Sequence, residues 1–331
     1  MTKLENNIEL PSLGIAIPSC GSPRRQKTLW HMIKSILDQT VPFDEIIIFD
    51  NSGENILQEQ SPFGKDPRIT WRHSEKKLPI SQSFDTAARS LGSTFITLQG
   101  DDDVLYPWFC ESVKKAAAQK DVGVVYIPFD EMREDGKVIP RNPEKLSHKS
   151  YLSDKEFRSI FLSLGNILGS MALRRTVFLE AGGFTGFFRT GVYTDIILLL
   201  LCSAIGRNVA LLDKTCFKYQ IPEADWSGSV QKYSECLEGI RAVDTALQYL
   251  KENLMRHGIP EQDCFLPNYN HYKYFCNTFL DTSNNIPLQQ YLLLLWACKN
   301  YSFRDKFWLV RKKLKIKLSL LNSHTKMRIH K

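Results

Sequence analysis

No apolar run in the 331 residues approaches the about 20 that a membrane-spanning helix requires; the longest, Ile196 to Ile205, falls far short. Met1 to Leu10 is polar and lacks the apolar core of a secretory signal, so the expectation is a cytosolic protein. The eight cysteines form no C-x-x-C pair and no cluster with histidine at zinc spacing, which excludes a zinc ribbon or disulfide scaffold and points to reduced, buried thiols. H-E-x-x-H, G-x-S-x-G and P-loop patterns are missing, which removes zinc-protease, α/β-hydrolase and P-loop chemistry. A general excess of basic charge is missing too. The net charge is +7, but ten of the 43 basic residues and one of the 36 acidic ones fall from Arg304 onward, leaving residues 1–303 at −2. The basicity belongs to the tail, so nucleic acid is not an expected partner.

What is present is an ordinary globular composition, 43% hydrophobic and 24% charged, in a chain long enough for a large core and two domains. The first half alternates β-rich runs with helical patterns, as α/β sheets do. Strands are expected at Leu13–Ser19, Glu45–Asp50, Arg68–His73, Thr94–Gln99, Val122–Pro128 and Thr215–Gln220, and Glu134 to Lys137 reads as a hairpin turn. A helix is expected from Pro23 to Gln39 on the face Leu29, Ile33, Ile36 and Leu37. Another uses Ile80, Phe84, Ala87 and Leu91 and ends at Gly92. Beyond about Pro222 the pattern changes to long helices.

The strongest chemical signal is Asp101-Asp102-Asp103, placed after a buried strand, where open α/β sheets bind ligands. Two carboxylates one residue apart can hold a divalent cation against a diphosphate; three acids on a solvated loop are the alternative. Asp50, before Asn51-Ser52-Gly53, reads by itself as a turn-forming residue. Asp195 precedes the apolar Ile196–Ile205 run, where a carboxylate suits a helix N-terminus.

Four stretches then occur in order: Ile15-Ala16-Ile17-Pro18-Ser19, Ser35-Ile36-Leu37-Asp38-Gln39-Thr40, Glu45 to Gly53, and Gly100-Asp101-Asp102-Asp103 to Pro107. Over residues 12 to 220 the chain resembles family-2 glycosyltransferases of the GT-A fold. The resemblance implies that Pro18 and Ser19 line the nucleotide base and that Asp50 accepts from its imide. Asp101 and Asp102 would meet the diphosphate, and Asp101 with Asp103 would ligate Mn²⁺ or Mg²⁺, with Asp102 the alternative ligand. Gly182-Gly183-Phe184 followed by Thr194-Asp195 is similar to the family's G-G-F stretch and later acid, which implies that Asp195 is the general base. The chain departs from the family at Asn51, Thr194 and Ser83-Phe84-Asp85, where Asp, Glu and an Ala-Arg-Asn stretch are common. Near Trp226, in PEADWSGS, Lys218 and Lys232 are candidates to reach phosphate, and Trp226 either stacks on a sugar or packs. Arg24 and Arg25 after the first strand either touch phosphate or, as is commoner at a helix start, face solvent.

The tail places Phe303, Phe307, Val310, Leu314, Leu318 and Leu321 on one helical face flanked by Arg311, Lys312, Lys313 and Lys315, with Trp308 near its middle. Such a helix suits docking on the anionic inner face of a membrane; packing on the protein and dimerisation are the alternatives. The expectation is therefore an α/β chain. Residues 1–222 form a GT-A nucleotide-diphospho-sugar transferase domain with a mostly parallel central sheet, 223–301 a helical region and 302–331 a basic amphipathic tail helix. The resemblance implies an inverting transfer of a hexose or N-acetylhexosamine from a UDP-sugar to a glycan or lipid-linked oligosaccharide in surface polysaccharide synthesis. A nucleotidyltransferase is disfavoured, because a single glycine lies between Ser19 and Arg24. The rival from another class is a non-catalytic scaffold of the same fold.

Overall fold

In the computed structural model, Leu13–Ser19 forms β1, a strand buried at all seven positions near the middle of an eight-stranded sheet. The structure describes residues 9–119, 121–133, 135–141, 149–161, 164, 167–184, 194–221, 233–265, 272–273, 276–277, 280 and 287–314. β1 lies between two parallel neighbours, β2 (Glu45–Asp50) and β4 (Phe95–Leu98), and β3 (Ile69–His73) adds a third parallel pair outside β2. The sequences EIIIFD and FITL are apolar at almost every position because helices cover both faces here.

Beyond β4 the sheet becomes mixed. β10 (Met171–Arg174) runs antiparallel to both β4 and β6 (Val122–Tyr126); β11 (Asn208–Leu211) is parallel to β6, and β9 (Tyr151–Ser153) closes the edge antiparallel. The mostly parallel sheet expected from sequence is present: four of its seven strand pairs are parallel, and β10 and β9 supply the antiparallel ones. A smaller sheet has the order β5 (Val104–Leu105), β12 (Phe217–Gln220), β7 (Phe129–Met132), β8 (Val138–Ile139). The β7–β8 pair is the expected hairpin: Arg133 N donates to Lys137 O at 3.0 Å, and Gly136 has φ 81°.

The first helix, α1 (Pro23–Leu37), starts where its sequence dictates. Ser22 caps it by accepting from Arg25 N, and Pro23 occupies the first turn, where a missing N–H costs nothing. Its buried face, Leu29, Met32, Ile33 and Ile36, joins Leu13, Ile15 and Ile17 of β1 in one core. Each such fully buried side chain contributes about 1.5–3 kcal/mol. A four-residue turn, α2, covers Leu57–Gln60. Of the face expected for α3 (Ile80–Arg89), Ala87 and Leu91 are buried and Phe84 is half-buried, but Ile80 is 39% exposed, and the helix also buries Ser81, Ser83 and Ala88. Small side chains let this helix approach β1 closely, which an apolar stripe read by hydrophobicity alone does not register.

α4 (Phe109–Ala117) and α5 (Asp154–Ile160) follow, the latter opened by a Ser153–Glu156 capping box. α6 (Arg175–Glu180) leads to α7 (Thr194–Gly206), which buries ten of its thirteen residues. Such a helix is apolar around its circumference because it lies within the core. Its seat on β6 depends on two glycines, since a Cβ at Gly123 would lie 2.3 Å from Gly206 Cα. Gly123→Ala is expected to destabilise the fold by about 1–3 kcal/mol, the usual range for overpacking. An unchanged unfolding midpoint in urea would refute this account of how α7 is seated.

The later helices are α8 (Tyr233–Arg256), α9 (Leu288–Ala297) and α10 (residues 303–314). The chain divides into two units, Met1–Glu223 with Leu250–Leu266, and Ala224–Tyr249 with Pro267–Lys331. Residues 250–266 thus return to the first unit, and α10 belongs to the second. Among the described residues no helix is long and apolar enough to cross a membrane.

Candidate active site

Strand register brings the candidate residues together. Ser19 and Asp50 are direct partners across the parallel β1–β2 pair, and Ala16 is paired with Leu98 of β4, so the chain leaving β4 arrives beside Ser19 three residues later. Ser19 Oγ donates to Asp101 Oδ2 at 2.5 Å. Asp50, Ser19 and Asp101 therefore stand in a row at the carboxyl ends of adjacent parallel strands, where α/β sheets place their ligands. Pro18 and Ser19 are both buried.

Arg25, one turn into α1, is the residue that sequence reasoning misplaced. Its Nη1 lies 2.8 Å from Asp101 Oδ1 and 2.6 Å from Asp102 Oδ2, with 22% of the side chain exposed. Arg24 next to it is exposed, as expected. Helix periodicity separates the two arginines, but only the β1–β4 pairing reveals that the inner one meets acids 76 residues away.

The D-x-D pair expected to hold a metal, Asp101 with Asp103, is divided by the fold. Asp103 is 3% exposed and closes its own loop, accepting from Gly100 N at 3.1 Å and from Gln220 N of β12 at 3.2 Å. Asp101 and Asp102 instead converge on one cationic nitrogen. Two hard carboxylate oxygens already gathered around a positive centre fit Mn²⁺ or Mg²⁺. Among the described residues no three or more acids, histidines or cysteines enclose a metal by themselves. Burial raises Asp101 to about 6, with Arg25 opposing and the charge of Asp102 adding to the rise. Asp103 is raised well above the ordinary carboxylate range, by burial first and then by Asp102.

Asp50 is 1% exposed and shapes a turn: Ser52 N donates to Oδ1 at 2.8 Å and Leu57 N to Oδ2 at 2.9 Å. Asn51, which stands where the family commonly has Asp, clasps the segment before α3. Its Nδ2 donates to Leu78 O at 3.0 Å while Leu78 N donates to its Oδ1 at 2.8 Å. An aspartate lacks the amide donor for the first of these bonds.

Asp195 stands in the first turn of α7, half-buried, with Ile196 N donating to its Oδ1 at 2.8 Å. Burial lifts its carboxyl to about 6, although that backbone bond favours the ionised form. A carboxylate at this value is ionised at neutral pH yet basic enough to accept a proton. Tyr219 of β12 is absent from the sequence-based candidates. Its phenol is raised by burial and then by the charges of Asp103, Asp102 and Asp195, with Arg25 opposing.

The Gly182-Gly183-Phe184 loop owes its shape to Asp85, part of the departure at residues 83–85. Asp85 Oδ1 accepts from Phe184 N at 2.9 Å, and Arg89, paired with Asp85 at 2.7 Å, donates to Gly182 O at 2.9 Å. Lys218 Nζ lies 5.1 Å from the centre of the Tyr106 ring, a cation–π contact. Trp226, Lys232 and Tyr193 lie outside the described residues.

A parallel β3-β2-β1-β4 sheet with acids at its carboxyl edge, an inserted antiparallel strand and a helical C-terminal region define a transferase of the GT-A type. The sequence profile of Glycosyl transferase family 2 matches residues 15–189, and the chain belongs to that family. Among solved structures it is similar to S. aureus TarS 1–349 in complex with UDP-GlcNAc, at 12% identity and a TM-score of 0.55, covering 93% of this chain and 92% of that one. TarS 1–349 alone, at 14% identity and a TM-score of 0.53, and its complex with UDP, at 13% and 0.52, align over the same shares of the two chains. No curated protein sequence matches the chain.

Proposed function

We propose that this glycosyltransferase carries out an inverting, metal-assisted transfer from a UDP-linked hexose or N-acetylhexosamine to a hydroxyl of a glycan or lipid-linked oligosaccharide. The observation that carries the proposal is the convergence of Ser19, Arg25, Asp101 and Asp102 at the ends of β1 and β4. The UDP-GlcNAc bound by structurally similar TarS favours a UDP donor. Surface polysaccharide assembly is the pathway that suits such an acceptor.

In this reading Asp195 takes the proton of the acceptor hydroxyl as that oxygen bonds to the anomeric carbon. The bond from that carbon to the diphosphate breaks on the opposite face, its electron pair leaves with the nucleotide, and the configuration inverts. Asp101 and Asp102 would hold Mn²⁺ or Mg²⁺, which when bound offsets the charge developing on the diphosphate. Arg25 supplies a second positive charge at that point. Pro18 and Ser19 form the wall toward the base, and Asp50 meets the base imide through a lone pair left beside its turn contacts.

Calorimetric titration with UDP and GDP, with and without Mn²⁺, tests the donor assignment. Mn²⁺-dependent binding of UDP alone is the expected result. Binding of neither nucleotide to folded protein would refute it and favour the scaffold reading.

A further inference from the structure

The second unit carries a surface that the donor site does not use. Eleven large apolar side chains are exposed among the described residues, and seven of them lie between positions 292 and 314. α9 buries Tyr291, Leu294 and Leu295 and turns Leu292, Leu293 and Trp296 outward, Trp296 being 79% exposed. α10 buries Leu309 and Lys313 and turns out Phe303, Phe307, Trp308 and Leu314, with Phe303 at 86%. The helices lie side by side and antiparallel: Lys306 Nζ is 5.1 Å from the centre of the Trp296 ring, and Lys313 Nζ is 4.5 Å from that of Tyr291.

Within its own unit α10 leaves Phe303, Phe307 and Leu314, described members of the expected apolar face, uncovered. Charge identifies what would cover them. From Leu288 to Leu314 there are six basic residues and one acid, Asp305, whose carboxylate is paired with Lys273 at 2.6 Å. Arg304, Arg311 and Lys312 are exposed among the aromatic side chains. Arg304, Arg311 and Trp308 also line a cleft of about 430 Å³ in the same unit, with the paired Lys273 and Asp305 beside them, a recess of net positive charge suited to an anionic headgroup. A surface made to pair with a second copy of itself would bring these cations against each other.

We propose that α9 and α10 together form a docking face for an anionic lipid bilayer, with the aromatic side chains entering the interface and the interleaved cations meeting lipid phosphates. The face is wider than the tail helix alone, because Leu292, Leu293 and Trp296 come from the preceding helix. The proposal rests on this unit and not on the assignment of donor or acceptor, so its test needs no turnover.

The full-length protein is sedimented with phosphatidylcholine vesicles, with and without phosphatidylglycerol, at low and high salt. Binding to the phosphatidylglycerol vesicles that weakens with salt is expected, together with a blue shift of tryptophan emission. Two variants separate the contributions: W296S/F303S/F307S, and R304Q/R311Q/K312Q. Each alters exposed side chains, and circular dichroism checks that the fold is kept. Each is expected to weaken vesicle binding on the order of tenfold or more. Failure of the intact protein to bind, equal binding to both kinds of vesicle, or undiminished binding by both variants would overturn the proposal. So would a dimer of the intact protein that the first variant dissociates while vesicle binding persists, because the face would then be a contact between copies.

Discussion

Replacing Asp195 by asparagine is expected to lower kcat by about 10²–10⁴-fold, the usual contribution of a general base. The substitution keeps the shape of the side chain and an oxygen to accept from Ile196 N, so α7 keeps its start and UDP binding is unchanged. The pH profile gives an independent reading. Asp195 is raised to about 6, and a base works only when ionised, so the wild-type rate should climb about tenfold per pH unit below about 6 and level off above it. Stability moves in the opposite direction. Because the folded protein binds this proton more tightly than the unfolded chain, the stability contributed by Asp195 falls as pH rises from 3.8 to about 6 and stays low above that. At neutral pH the Asn variant should therefore be as stable as wild type or more so, by about 1–2 kcal/mol after allowing for partial exposure. Near wild-type turnover in D195N, or an unaltered acid limb, would show that another group takes the proton.

The second large effect is expected at Arg25. Its guanidinium offsets two of three consecutive aspartates, and R25Q leaves those charges facing one another in a largely buried site. Thermal unfolding at neutral pH should show a loss of about 1–3 kcal/mol. The affinity for Mn²⁺ without nucleotide should rise on the order of tenfold, because the competing cation has gone; that factor corresponds to about 1.4 kcal/mol. Added Mn²⁺ should then restore the unfolding temperature of the variant more than that of wild type. If R25Q has the wild-type Mn²⁺ affinity and melting temperature, the ion pair is incidental.

The strands of the first half were legible because their signals are local. EIIIFD must be buried on both sides, and LGIAIPS carries a nearly continuous apolar run, so β1 and β2 appear with the bounds expected. α3 was legible as a helix and its facing only in part, since Ala87 and Leu91 are buried as expected and Ile80 is not. Serine and alanine reach the core there by being small, and hydropathy carries no measure of how closely two backbones approach. The inserted β10 was similarly hidden, because Met171–Arg174 has nothing in its own pattern to say which strands it will separate.

The site divides in the same manner. Asp101 to Asp103 and Asp195 could be selected from sequence because acids beside apolar runs stand out. Their roles could not, because three adjacent carboxylates differ only in what each one faces. The fold turns Asp103 toward the backbone amides of Gly100 and Gln220, and it turns Asp101 and Asp102 toward Arg25. Tyr219 became visible only when β12 paired with β5, immediately after the acids. The sequence by itself determined the α/β class, the family and the positions of the acids, because hydrophobic period and short motifs are properties of neighbouring residues. Tertiary structure alone decided which acid faces a cation, which faces the backbone, and which aromatic side chains of α9 and α10 are left facing solvent. Those outcomes depend on contacts between residues far apart in the chain, and local pattern does not encode them.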